Sequence, residues 1–70
     1  MEKLKEIIED GKYLSSLYDI QTAIDVYDSL VTHGKAITIN EKVAKVCADC
    51  GINVKKNGVI FLVQIKKFKS

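Results

Sequence analysis

INVKKNGVIFLVQI, residues 52–65, decides the fold. Asn57-Gly58 at its centre is the strongest short-range signal for a two-residue hairpin turn. With those two residues at the turn, Lys56 faces Val59, Lys55 faces Ile60, Val54 faces Phe61, Asn53 faces Leu62 and Ile52 faces Val63. Ile52, Val54, Phe61, Val63 and Ile65 then share one face, and a slip of one residue would scatter them. The opposite face is mixed. Asn53, Lys55, Gln64 and Lys66 stand there beside Ile60 and Leu62, with Phe68 following if the strand continues. The second strand, VIFLVQI (59–65), is apolar on both faces for most of its length. That composition suits a central strand with a third strand on its far side.

The third strand lies upstream. AITI (36–39) is short, β-prone and cut off by Asn40. Asn40 is a good N-cap for a helix over EKVAKVCADC (41–50), with Val43, Val46, Cys47 and Cys50 facing inward and Lys42, Lys45 and Asp49 outward. Gly51 is its natural stop. Further back, Leu17, Ile20, Ile24, Tyr27 and Val31 step by 3, 4, 3 and 4, a stripe along one helix that Ala23 and Leu30 widen. Ser16 with Asp19 three later resembles a capping box, with Asp in the Glu position. His33 lies in the last turn, and Gly34 suits the left-handed position beyond it. Leu4, Ile7 and Ile8 predict a first helix over about residues 2–10 that Gly11 ends. The expected architecture is α+β: α-α-β-α-β-β in a single domain, 1–70, with helices packed on one face of a small three-stranded, mainly antiparallel sheet.

A chain of 70 residues with 47% apolar content can build a core. A domain this small buries only about 60% of the surface its unfolded chain exposes. Such chains often recruit a metal, a disulfide or a second subunit. No run approaches the roughly 18 consecutive apolar residues of a membrane span. The start, MEKLKEIIED, is acidic and without the apolar stretch of a signal peptide, so the expected location is the cytoplasm, where thiols stay reduced.

Charge is unevenly laid out. Residues 1–34 carry three lysines against seven acids, a net of −4, and residues 35–70 carry eight lysines against Glu41 and Asp49, a net of +6. Asp19, Asp25 and Asp28, with the acids of the first helix, predict an acidic surface. Every basic residue is lysine. Base-edge readout and bidentate phosphate clamps favour arginine, which argues against a sequence-specific DNA reader.

Three groups of residues are candidates for function. Cys47 and Cys50, in CADCG (47–51), have zinc-knuckle spacing, and two thiolates so placed can hold two corners of a tetrahedron. His33 is the only histidine and the candidate third ligand of a structural zinc, with Asp28, Asp49, a water or a second chain as the fourth. Two buried thiols on a core face account for the same pattern. A redox pair fits less well, because a helix C-terminus raises a thiol pKa. The second group is the mixed hairpin face. Ile60, Leu62, Lys55, Lys66 and Phe68 are the candidate partner-binding residues, because apolar side chains on an otherwise wet face mark a protein partner or a homodimer unless the first helix covers them. The third is the lysine-rich hairpin and tail, with Lys55, Lys56, Lys66, Lys67 and Lys69, which suits either phosphate contact or protection of a sheet edge. No nucleophile elbow and no phosphate-binding loop is present, so no enzymatic activity is expected.

In size, lysine-only basicity and the run ITINEKVAKVCADCGINVKKNGVIFLVQI (37–65), the chain resembles small accessory proteins of Gram-positive phages and mobile elements. Some of these are anti-CRISPR inhibitors of type II effector nucleases. The resemblance implies a non-enzymatic interaction protein that binds and blocks a macromolecular partner, such as a CRISPR effector nuclease. The alternative is a nucleic-acid-binding regulator, because strand, helix and lysine-bearing hairpin resemble the latter part of a winged helix. That motif has a helix-turn-helix where this chain has one helix.

Overall fold

The computed structural model describes residues 2–11, 14 and 16–65. The chain runs α1 (Glu2–Asp10), α2 (Leu17–His33), β1 (Lys35–Thr38), α3 (Glu41–Asp49), β2 (Asn53–Asn57) and β3 (Ile60–Gln64). This is the α-α-β-α-β-β order read from the sequence, with three helices and one open antiparallel sheet in the order β1-β3-β2. β3 is central because it alone can bury one face and half-bury the other. No helix among the described residues is long and apolar enough to cross a membrane.

The hairpin differs in one respect from the expected register. Asn57 pairs with Ile60, so the two loop residues are Gly58 and Val59. Gly58 takes φ +67, and no non-glycine residue among those described has positive φ. The turn is therefore the glycine-first form, which needs one left-handed residue, and not the Asn-Gly form, which needs two. Pairings slide by two along β3: Val54 faces Val63, Lys55 faces Leu62 and Lys56 faces Phe61. A slide of two leaves every side chain on its expected face.

On the inner face Ala36 and Val54 flank Val63, and Thr38 and Lys56 flank Phe61. The helices pack over this face. Leu4, Leu30, Val43, Cys47 and Val63 are fully buried, and Leu4 and Ile7 of α1 join the same cluster as Ala36 and Val63. The first helix thus serves the inner core, and among the described residues nothing lies over the outer face of the sheet. Each fully buried aliphatic side chain of this kind contributes about 1.5–3 kcal/mol through burial.

Helix α2 is rotated from the expected stripe but keeps Ala23 and Leu30 inward. Its buried residues are Asp19, Ala23, Val26 and Leu30, while Ile20 and Tyr27 are only partly buried, and Leu17, at 84% exposure, and Val31 face solvent. The tertiary contact with β1 selects the face that carries Ala23 and Val26, small enough for a strand to approach closely. Gly34 ends the helix at φ +79 and donates its N–H to the carbonyl of Leu30 at 2.9 Å, the left-handed C-cap that permits an immediate turn into β1.

Candidate functional site

The caps of α2 and α3 are joined. The Asp19 N–H donates to Ser16 Oγ at 3.1 Å, as the capping box predicts. The Asp19 carboxylate does not return to Ser16. It accepts from Asn40 Nδ2 at 2.9 Å, while Asn40 Oδ1 accepts from the Val43 N–H at 3.2 Å and the Asn40 N–H donates to Thr38 Oγ1 at 3.0 Å. Asp19 is only 7% exposed, so it does not belong to the acidic surface expected of it. One asparagine therefore caps α3 and ties the start of α2 to the end of β1. The bond spans 21 residues and leaves no local signature in the sequence.

The two thiols occupy different surroundings. Cys47 is enclosed in the core beside Val43, Val46 and Ile52, and Cys50 is half-buried at the end of α3. Burial, and secondarily the neighbouring Cys50, push the Cys47 thiol up to about 11. Burial raises Cys50 too, with Lys3 opposing. His33 is exposed at the end of α2, where it borders a hollow with Ser29, Lys35 and Leu62. Among the described residues, no three histidine, cysteine or acidic side chains gather into a group that could hold a metal. Cys47 and Cys50 stand as two free thiols near the end of α3, the first buried among aliphatic side chains.

The outer face of the sheet is the most distinctive surface. Strand alternation puts Lys35, Ile37, Asn53, Lys55, Asn57, Ile60, Leu62 and Gln64 on it. The rows are ordered. Asn53, Gln64 and Lys35 make a polar end. Lys55, Leu62 and Ile37 make the middle, and Asn57 and Ile60 the far row, which Ile39 extends one step past the β1 ladder. Ile37, Ile39, Ile60 and Leu62 thus form an apolar quadrant over β1 and β3, bordered by Lys55 and Asn57 on the β2 side and by Lys35 and Gln64 at the polar end. Ile37 is 65% exposed and Ile39 67% exposed, whereas Ile60 and Leu62 are half-buried by their neighbours.

The structure brings Ile60, Leu62 and Lys55 together on this face, as expected. Lys66 and Phe68 lie outside the described residues. Ile37 and Ile39 are the members that sequence reasoning did not assign to it. The alternation of Ala36 and Thr38 with Ile37 and Ile39 was the available signal, but without the α2 contact nothing says that the small pair faces inward.

Lys42 and Lys45 are exposed on α3 with Glu41 and Asp49, a mixed-charge side. Against protein-family models, curated proteins and solved structures, the chain finds no match.

Proposed function

We propose that the chain is a non-enzymatic interaction protein that blocks a macromolecular partner by laying the outer sheet face against it. The observation that carries this reading is the quadrant of Ile37, Ile39, Ile60 and Leu62, left bare among the described residues, whose helices all serve the opposite face. A small domain gains stability by covering apolar surface, so four such side chains held together on a sheet are better accounted for by an occupant than by the fold. The polar rim of Lys35, Lys55, Asn57 and Gln64 matches the anatomy of a protein interface, an apolar centre inside a wet border. The narrower form, inhibition of a type II effector nuclease, follows the resemblance over residues 37–65.

Titrating a guide-loaded type II effector with the chain and following DNA cleavage tests both forms. Near-stoichiometric inhibition is expected. In the double variant Ile37→Lys, Leu62→Lys the half-inhibiting concentration should rise at least about 100-fold, because two buried anchors are lost. Unchanged inhibition by a folded double variant would overturn the face. An inert wild-type chain would overturn the nuclease as target.

A further inference from the structure

The backbone of β1 has a second property that the face alone does not reveal. The Ile65 N–H donates to the Gly34 carbonyl at 3.0 Å, which makes Lys35↔Gln64 a non-hydrogen-bonded pair. Bonded and non-bonded pairs alternate in an antiparallel ladder, so Ala36 and Thr38 direct their backbone groups at β3 while Ile37 directs its N–H and C=O away from the sheet. Ile39 follows just beyond the end of the ladder. The Lys35 carbonyl on this edge accepts from Ser29 Oγ at 2.8 Å. The Ile37 amide and carbonyl therefore stand on an open edge.

That edge is roofed. Helix α2 packs far more on β1 than on β3, so it lies over the margin of the sheet. Between the two runs a hollow of about 340 Å³, lined by Thr22, Asp25 and Ser29 of α2 and by residues 36–39. A second hollow of about 360 Å³ continues past Ile37 toward Lys35 and His33. The roof rejects a second copy. Pairing β1 with β1 of another copy would set the two strands about 4.8 Å apart. Their overhanging α2 helices need about 8–10 Å between axes. A lone strand has no such roof of its own and fits beneath α2.

From this we infer that the β1 edge receives an extended segment of the partner protein as a fourth strand, antiparallel or parallel to β1, in a mode known as strand addition. The proposal rests on the reading of the outer face as the binding surface and gives its partner a sequence chemistry. Alternate side chains of the added strand continue the outer face beside Ile37 and Ile39, and these are apolar. The others rise under α2 toward Asp25, whose Oδ1 accepts from Gln21 Nε2 at the surface, with exposed Asp28 one turn on in the helix, and these are basic. The segment taken is an apolar-basic alternation over about five residues.

The probe is a nine-residue peptide alternating lysine with isoleucine or valine, titrated into isotope-labelled full chain and followed by backbone amide shifts and exchange. A same-composition peptide with lysines blocked together is the control. The alternating peptide should shift and protect the Ile37 and Ile39 amides and leave Val54 and Lys56 unchanged. Asp25→Lys should weaken it about tenfold and favour a glutamate-isoleucine alternation instead. Ile37→Pro should abolish it, since proline on the outward side of an edge strand removes the docking N–H without removing a ladder bond. If that variant does not fold, protection of the Ile37 and Ile39 amides in the wild type decides. No binding by the alternating peptide, equal binding by the control, or protection on β2 overturns the inference. Loss of nuclease inhibition in Ile37→Lys, Leu62→Lys together with a silent peptide would sink strand addition and leave the face reading standing.

Discussion

The sheet has two free edges, and they are built in opposite ways. The β2 edge carries Lys55 and Lys56, with Asn53 and Asn57 at its ends, and every residue but Val54 is exposed. A two-residue loop makes Asn57↔Ile60 a hydrogen-bonded pair, so Val54 and Lys56 turn their backbone outward on this side. The Lys56 ammonium lies over the Phe61 ring at 6.0 Å, keeping a charge beside that backbone. Charge of this kind discourages stray strand pairing. The β1 edge has one lysine, at its start, then alternates small residues beneath α2 with isoleucines on the outer face. One edge is guarded by charge. The other is apolar and lies beside a helix with a hollow between the two.

The largest effect expected from breaking this contrast is on binding, where Ile37→Lys with Leu62→Lys removes the apolar centre. The matching change on the other edge, Lys56→Ile, whose side chain lies on the inner face, should leave inhibition intact and produce concentration-dependent oligomers in light scattering. If the β2 variant loses inhibition instead, the assignment of the two edges is reversed.

Stability changes come next. Asn40→Ala removes the α3 cap and, among the described residues, the polar partner of the buried Asp19 carboxylate. A loss of about 2 kcal/mol is expected in urea unfolding, more than a cap alone at about 1 kcal/mol. A loss under about 0.5 kcal/mol would mean that the β1–α3 junction is held by packing. The turn gives a smaller and sharper test. Gly58→Ala should cost about 1 kcal/mol because φ is +67, whereas Asn57→Ala should cost a few tenths. Equal costs would restore the Asn-Gly turn and its register.

The thiols provide the mildest test. In the folded chain Cys50 should react with a thiol reagent and Cys47 should not until the chain unfolds. The folded pKa of Cys47, about 11, is above the ordinary 9.0, so the folded state holds the proton more tightly. Its contribution is complete below pH 9 and is lost as pH climbs toward 11. The melting temperature should fall faster over that window in the wild type than in Cys47→Val. A chelator should leave the melt unchanged, and a marked drop would point to a metal shared between chains.

Much of the fold was legible because the strongest signals were local. The caps at Ser16, Gly34 and Asn40, and the alternation through Val54, Phe61 and Val63, each act within a few residues. The misses are tertiary. Contact with β1, not period, fixed how far α2 is rotated, so Ala23 and Leu30 stayed inward while Leu17 and Val31 gave way to Asp19 and Val26. The turn moved by one residue and the pairing slid by two, because strand pairing can accommodate either loop without exchanging faces. Half of the apolar quadrant was readable from Ile60 and Leu62. Ile37 and Ile39 were hidden because four residues cannot say which of two alternating sets a distant helix will cover.

Hydrogen–deuterium exchange of the wild-type chain, alone and with a guide-loaded type II effector, tests the central claim most directly. Protection over residues 35–39 and 60–64, with residues 53–57 unchanged, is the predicted result. An inhibited nuclease with protection confined to α3 or β2 would contradict it.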